Sequence, residues 1–156
     1  MKIAVVGDTH GKIDKIKKEL TLIKPDYLFF TGDYYPDGKK LASSLKIDFT
    51  GVAGNCDPIK TGSAEKKVEI KGKKFLLVHG HQYGVKRGLN RIFYRGKEAE
   101  VDMVVFGHTH IAGAEKIEGL WLLNPGSPSQ PRLPDRASYA IIEIEENKLN
   151  PVIVRM

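Results

Sequence analysis

The sequence predicts a single α/β domain, residues 1–156, with a βαβ start and a β-rich end. Three observations predict it. A short apolar run, an amphipathic segment and a second apolar run follow one another at the N-terminus. Five times a β-rich run closes on a glycine beside a histidine, aspartate or asparagine. The last third carries several short strand-like runs with no helical spacing between them.

The elements follow in order. Lys2 to Gly7 reads as a strand. From Lys12 to Lys24 the apolar residues Ile13, Ile16, Leu20 and Ile23 recur at three- and four-residue spacing, an amphipathic helix stopped by Pro25. Asp26 to Thr31 is the second strand, parallel to the first. A short helix over Gly38 to Leu45 leads to a strand at Phe49 to Ala53. Lys67 to Ile70 and Lys73 to Val78 flank Lys71-Gly72 as a hairpin. A helix is predicted over Lys86 to Ala99, then a strand at Met103 to Phe106. Runs near Ala114 to Ile117, Trp121 to Leu123, Ser138 to Ile144 and Lys148 to Val154 read as antiparallel. Between the second and third of these, Pro125, Pro128, Pro131 and Pro134 mark a long loop, of the kind that is functional or mobile.

Composition narrows the class. The chain is 41% hydrophobic and 28% charged, near globular averages, and its longest apolar runs are far too short to span a membrane. No signal-like segment opens it. The single cysteine, Cys56, rules out an internal disulfide and suits a reducing, cytoplasmic setting. A net charge of +6 favours anionic partners without naming one. No Gly-rich phosphate loop with its lysine is present, and no Gly-x-Ser-x-Gly elbow.

The chemistry lies in five segments: Asp8-Thr9-His10, Gly32-Asp33, Gly54-Asn55, His79-Gly80-His81 and Gly107-His108-Thr109-His110. Each follows a strand, and in open α/β sheets ligands bind beyond the carboxyl ends of strands. Asp8 with His10, and His108 with His110, each present two groups to one side of an extended chain. All five histidines of the protein fall in these segments. Imidazole with carboxylate suits manganese, iron, cobalt, nickel or zinc, and with one cysteine a thiolate zinc site is excluded. Two such cations, less the charges of Asp8, Asp33 and one bridging hydroxide, leave a site of about +1, matched to a phosphate anion. Singly, Asp8 reads as a helix cap and Asp33 as a turn residue; together with the histidines they read as ligands.

The ordered series Asp-x-His, Gly-Asp, Gly-Asn, His-Gly-His and Gly-His-x-His resembles the calcineurin-like metallophosphoesterases, and the chain length is similar to their compact prokaryotic phosphodiesterases. Asn124-Pro125-Gly126-Ser127 also resembles those relatives. The resemblance implies two mixed β-sheets packed as a sandwich flanked by helices. It implies one divalent ion held by Asp8, His10, Asp33 and His110. A second would be held by Asp33, Asn55, His79 and His108, with Asp33 bridging. Manganese is the first choice of metal. The catalytic residues expected are Asp33, Asn55 and His81, and His81 either reaches substrate or bonds a loop. Many relatives carry a histidine after the asparagine to protonate the leaving group; this chain has Cys56, which points to diesters or good leaving groups. Cys56 itself reads as a small packed residue.

Two other readings stand beside the phosphodiesterase. One is a protein-interaction scaffold of the same fold with residual metal binding. The small retromer subunit is of this kind and resembles the chain at His79 to Gln82. The other is a nuclease. Arg87, Arg91 and Arg95 form a ridge on the predicted helix, with Leu89, Ile92 and Phe93 facing the core. A solvated face is the ordinary meaning of such a ridge, so a small phosphate ester is favoured over nucleic acid. Arg132, in the proline-rich loop, reads either as a contact to a substrate phosphate or as an ordinary exposed loop arginine. No membrane partner is expected, and the oligomeric state is left open.

Overall fold

The computed structural model describes residues 1–156. The chain runs β1 (Lys2–Val6), α1 (Asp14–Ile23), β2 (Tyr27–Phe30), α2 (Tyr35–Leu45), β3 (Asp48–Gly51), β4 (Glu65–Ile70), β5 (Lys73–Val78), a 3-10 turn (His81–Tyr83), α3 (Asn90–Glu98), β6 (Met103–Val105), β7 (Ala112–Ile117), β8 (Leu120–Pro125), β9 (Ser138–Glu145) and β10 (Lys148–Arg155). The strands form two five-stranded mixed sheets, ordered β10-β9-β1-β2-β3 and β4-β5-β6-β8-β7. In the first, β1, β2 and β3 are parallel; in the second, β5, β6 and β8 are parallel. Antiparallel strands complete the sheets, β9 and β10 on the β1 side of the first and β4 and β7 at the two edges of the second.

Side-chain alternation builds three apolar layers from these strands. Ile3 and Val5 of β1 face inward with Phe29, Phe75, Leu77, Met103 and Val105, filling the space between the sheets. Ala4 and Val6, one residue out of phase, face outward against Ile16 and Leu20 of α1 and Leu41 of α2. Leu76, Val78 and Val104 do the same beneath Ile92 of α3. Strands buried on both faces read as unbroken apolar runs, which is why the sequence exposed them so clearly. At about 25 cal/mol per Å², each fully buried Leu, Ile or Phe contributes roughly 1.5–3 kcal/mol toward folding.

Two helix starts are corrected. Helix α2 begins at Tyr35 rather than Gly38, because Pro36 and Asp37 suit a first helical turn. Helix α3 begins at Asn90 rather than Lys86; Gly84 and Gly88 both adopt positive φ, and the chain turns there. The last-third strands pair antiparallel as expected, the β7–β8 hairpin in one sheet and β9–β10 in the other. Pro151 is tolerated because β10 is an edge strand. None of the helices is long and apolar enough to cross a membrane.

Candidate metal centre

Every segment singled out above lies just beyond the carboxyl end of a parallel strand: Asp8 after β1, Asp33 after β2, Asn55 after β3, His79 after β5, His108 after β6. The two parallel triplets thus aim their ends at one edge of the sandwich. There the backbone is sharply turned. Asp8, His10, Asp33, His108 and His110 have φ of 51°, 47°, 54°, 71° and 59°. Left-handed φ is unfavourable for residues other than glycine, and surrounding structure must hold it. The approach between strand ends is close. Gly32, at φ 105°, has no room for a Cβ, which would lie 2.8 Å from the Gly54 nitrogen. A Cβ at Gly54 would overlap the Asp33 carboxylate.

Asp8, His10, Asp33 and His110 converge, with one ligand atom from each lying within 4.8 Å of all the others. His10 Nε2 is 3.4 Å from His110 Nε2 and 3.7 Å from Asp33 Oδ2, and His110 Nε2 is 3.4 Å from Asp8 Oδ1. Ligands about 2.0–2.2 Å from a common ion sit at such separations from one another. His110 Nδ1 donates to the Gln130 carbonyl at 2.7 Å, so its Nε2 is the nitrogen that faces the Asp8 carboxylate. Asp8 Oδ1 is buried with no hydrogen-bond partner. The Asp8 carboxylate raises the proton affinity of His110, because a positive charge is what the pair lacks. A divalent cation would meet the same need.

A second group adjoins the first. His79 Nδ1 donates to the Thr31 carbonyl at 2.9 Å, so Nε2 is the nitrogen turned toward the site. That nitrogen faces three oxygens: Asn55 Oδ1 at 3.1 Å, Asp33 Oδ1 at 3.4 Å and Asp8 Oδ1 at 3.9 Å. His108 Nδ1 lies 3.2 Å away. Burial, with His79 and Lys86 nearby, brings His108 down to about 4, so it is a neutral imidazole ready to ligate. Asp33 therefore turns one oxygen toward each group. Burial pushes its carboxyl up, but His79 and the Cys56 N–H outweigh this and hold it below the usual range.

Support for these residues comes partly from side chains the sequence reading passed over. Asp37, buried at the start of α2, accepts from Thr9 Oγ1 at 2.7 Å and from the Gly11 N–H at 2.9 Å, fixing the loop that carries Asp8 and His10. Asp57 accepts from the Gly54 N–H at 2.8 Å and the Tyr35 N–H at 2.7 Å, tying the Asn55 loop to α2. Asn124 donates to the Gly107 carbonyl and to Thr109 Oγ1, and Ser127 Oγ donates to the Asp8 carbonyl at 2.8 Å. The Asn-Pro-Gly-Ser segment thus clamps two ligand loops, and the proline-rich loop is anchored at its start.

His81 is exposed, its ring centroid 5.3 Å from that of His79 and 6.0 Å from that of His108. Burial and the neighbouring His79 lower its proton affinity. Cys56 is exposed, not packed, so that expectation is corrected; Asp57 draws its segment outward into a turn. Its thiol is pushed up to about 11, by desolvation first and then by Asp33. Leu89, Ile92 and Phe93 pack against the core as expected, but the arginine ridge is broken: Arg87 precedes α3, and Arg95 is committed to a two-pronged ion pair with Glu65. Tyr34, partly exposed, sets its ring edge against His10 at 5.4 Å.

Residues 1–147 match the family model for the calcineurin-like phosphoesterase superfamily domain. The probable metallophosphoesterase YsnB of Bacillus subtilis is 32% identical over 94% of this chain and 86% of its own length. Phosphodiesterase YfcE of Escherichia coli K12 is 26% identical over 92% of this chain and 88% of its own. The fold also matches wild-type Vps29 of Entamoeba histolytica complexed with zinc, with a TM-score of 0.78 and 21% identity over 99% of this chain and 98% of that one. With its ligand motifs in order and its family model matched over most of its length, the chain belongs to the calcineurin-like phosphoesterase superfamily.

Proposed function

We propose that the protein is a dinuclear metal-dependent phosphodiesterase acting on a small phosphate ester, with manganese as the working metal. The observation that carries this reading is His79 Nε2, facing three oxygens beside a four-residue cluster of the same kind. Asp8, His10, Asp33 and His110 would hold one ion, and Asp33, Asn55, His79 and His108 the other. Bound there, divalent ions would activate the attacking water and clamp the phosphoryl oxygens.

The chain's own residues do the rest. Asp33 sets the spacing of the two positions through its two oxygens. Asn55 turns its carbonyl oxygen toward His79, which leaves its amide to donate to substrate. His81, neutral and exposed, is placed to accept a proton from water or to orient the phosphoryl group. Likeness to YfcE and the cysteine at position 56 both favour diesters over monoesters. The scaffold reading draws on the Vps29-like fold, but a scaffold has no need of this complete ligand set.

The test is hydrolysis of bis(p-nitrophenyl) phosphate and p-nitrophenyl phosphate by metal-stripped protein, with Mn²⁺ restored in steps. Turnover that appears with the cation and favours the diester is expected. His81→Ala should lower turnover about a hundredfold while metal content stays that of the parent. Cation binding with no turnover on either ester would favour the scaffold instead.

A further inference from the structure

Next to the metal centre lies a groove of about 790 Å³, a size suited to a small organic ligand. Its walls are apolar: Val85 ahead of α3, Leu89, Phe106 at the end of β6, and Ile111. Ile111 is 47% exposed, so its side chain is open to whatever enters the groove. Two cations, Lys86 and Arg132, border the groove against one acid, Glu115.

The groove and the centre share a wall. Thr109 lines the groove, and its chain neighbours His108 and His110 point into the metal cluster. Arg132 donates its backbone N–H to the His110 carbonyl at 3.1 Å, so the far border is tied to the same loop. Lys86 lines the same groove as Thr109 and Arg132. A phosphate held at the centre would therefore have an apolar trough on one side of it, entered between two positive charges.

Resting on the phosphodiesterase reading above, we propose that this groove is the subsite for a bulky apolar or aromatic ester arm of the substrate. The substrate class is then a phosphodiester with one such arm, its anionic phosphorus at the metals and beside Lys86 and Arg132. Dialkyl esters with short arms leave the groove empty and bind poorly. Burying a phenyl-sized group in place of a methyl is worth at least about tenfold in affinity.

The experiment compares phenylphosphonate with methylphosphonate, neither of which is hydrolysed, on Zn²⁺-loaded protein with labelled Ile, Leu and Val methyls. Phenylphosphonate is expected to bind at least about tenfold more tightly and to shift the methyl signals of Val85, Leu89 and Ile111. Ile111→Asp, a change at an exposed position that the fold should accept, should bring the two affinities together. Equal affinities in the parent protein, or a phenyl preference with shifts elsewhere, would overturn the subsite and leave the groove to a protein segment. Binding is read without turnover, so failure of the subsite is distinct from failure of the Mn²⁺-dependent hydrolysis that tests the enzyme reading.

Discussion

Asp33 and His79 face each other across 3.4 Å, with Asp33 Oδ1 opposite Nε2 of His79. The other oxygen of Asp33 faces His10 at 3.7 Å. One carboxylate thus serves both groups. Asp33→Ala should abolish binding at both proposed positions rather than at one, with the fold retained. Isothermal titration with Mn²⁺ checks this; one remaining tight site in the variant would mean that Asp33 does not bridge.

Asp57 acts one step removed. Its carboxylate holds the Gly54 and Tyr35 N–H groups, and through them the loop that presents Asn55. Asp57→Ala leaves two N–H groups without this partner, at a cost of roughly 2 kcal/mol. Thermal unfolding should show that loss, and the ion held by Asn55 should weaken while the other keeps its affinity.

Cys56 stands exposed beside Asn55, where its high proton affinity keeps the thiol neutral near pH 7. A thiol of that kind is a poor proton donor to a leaving oxygen. Cys56→His should raise kcat on p-nitrophenyl phosphate by roughly tenfold or more, the scale of general acid assistance. Unchanged monoester turnover would place position 56 away from the leaving group.

Away from the site, Glu65 joins β4 to α3 through Arg95 and accepts from the Tyr83 hydroxyl at 2.6 Å. Burial pushes its carboxyl up, but Arg95 and Tyr83 bring it below the usual carboxylate range. A lowered folded-state value means that its contribution is present above the unfolded value, about 4.3, and fades as pH falls through the folded one. Glu65→Gln should therefore cost about 1 kcal/mol at pH 7, water reaching part of both side chains. The difference from the parent should shrink below pH 4. Denaturant unfolding at the two pH values measures it, and a gap that widens in acid would contradict the assignment.

The strands were legible because β1, β2, β5 and β6 are buried on both faces and so appear as unbroken apolar runs. The proposed metal ligands stood out because all five histidines fall directly after such runs. Asp37 and Asp57 were not, since a carboxylate that bonds the backbone of another loop looks like any turn residue. The start of α3 was misplaced because Val85, Leu89 and Ile92 keep nearly helical spacing across a turn made by Gly84 and Gly88. Which sheet each late hairpin joins depends on partners distant in sequence, and local pattern does not carry that.

The most direct test of the central claim is an anomalous difference map from crystals soaked in Mn²⁺. Two peaks are expected, one among Asp8, His10, Asp33 and His110 and one among Asp33, Asn55, His79 and His108, with Asp33 touching both. A single peak, or ions bound away from these residues, would contradict the dinuclear centre.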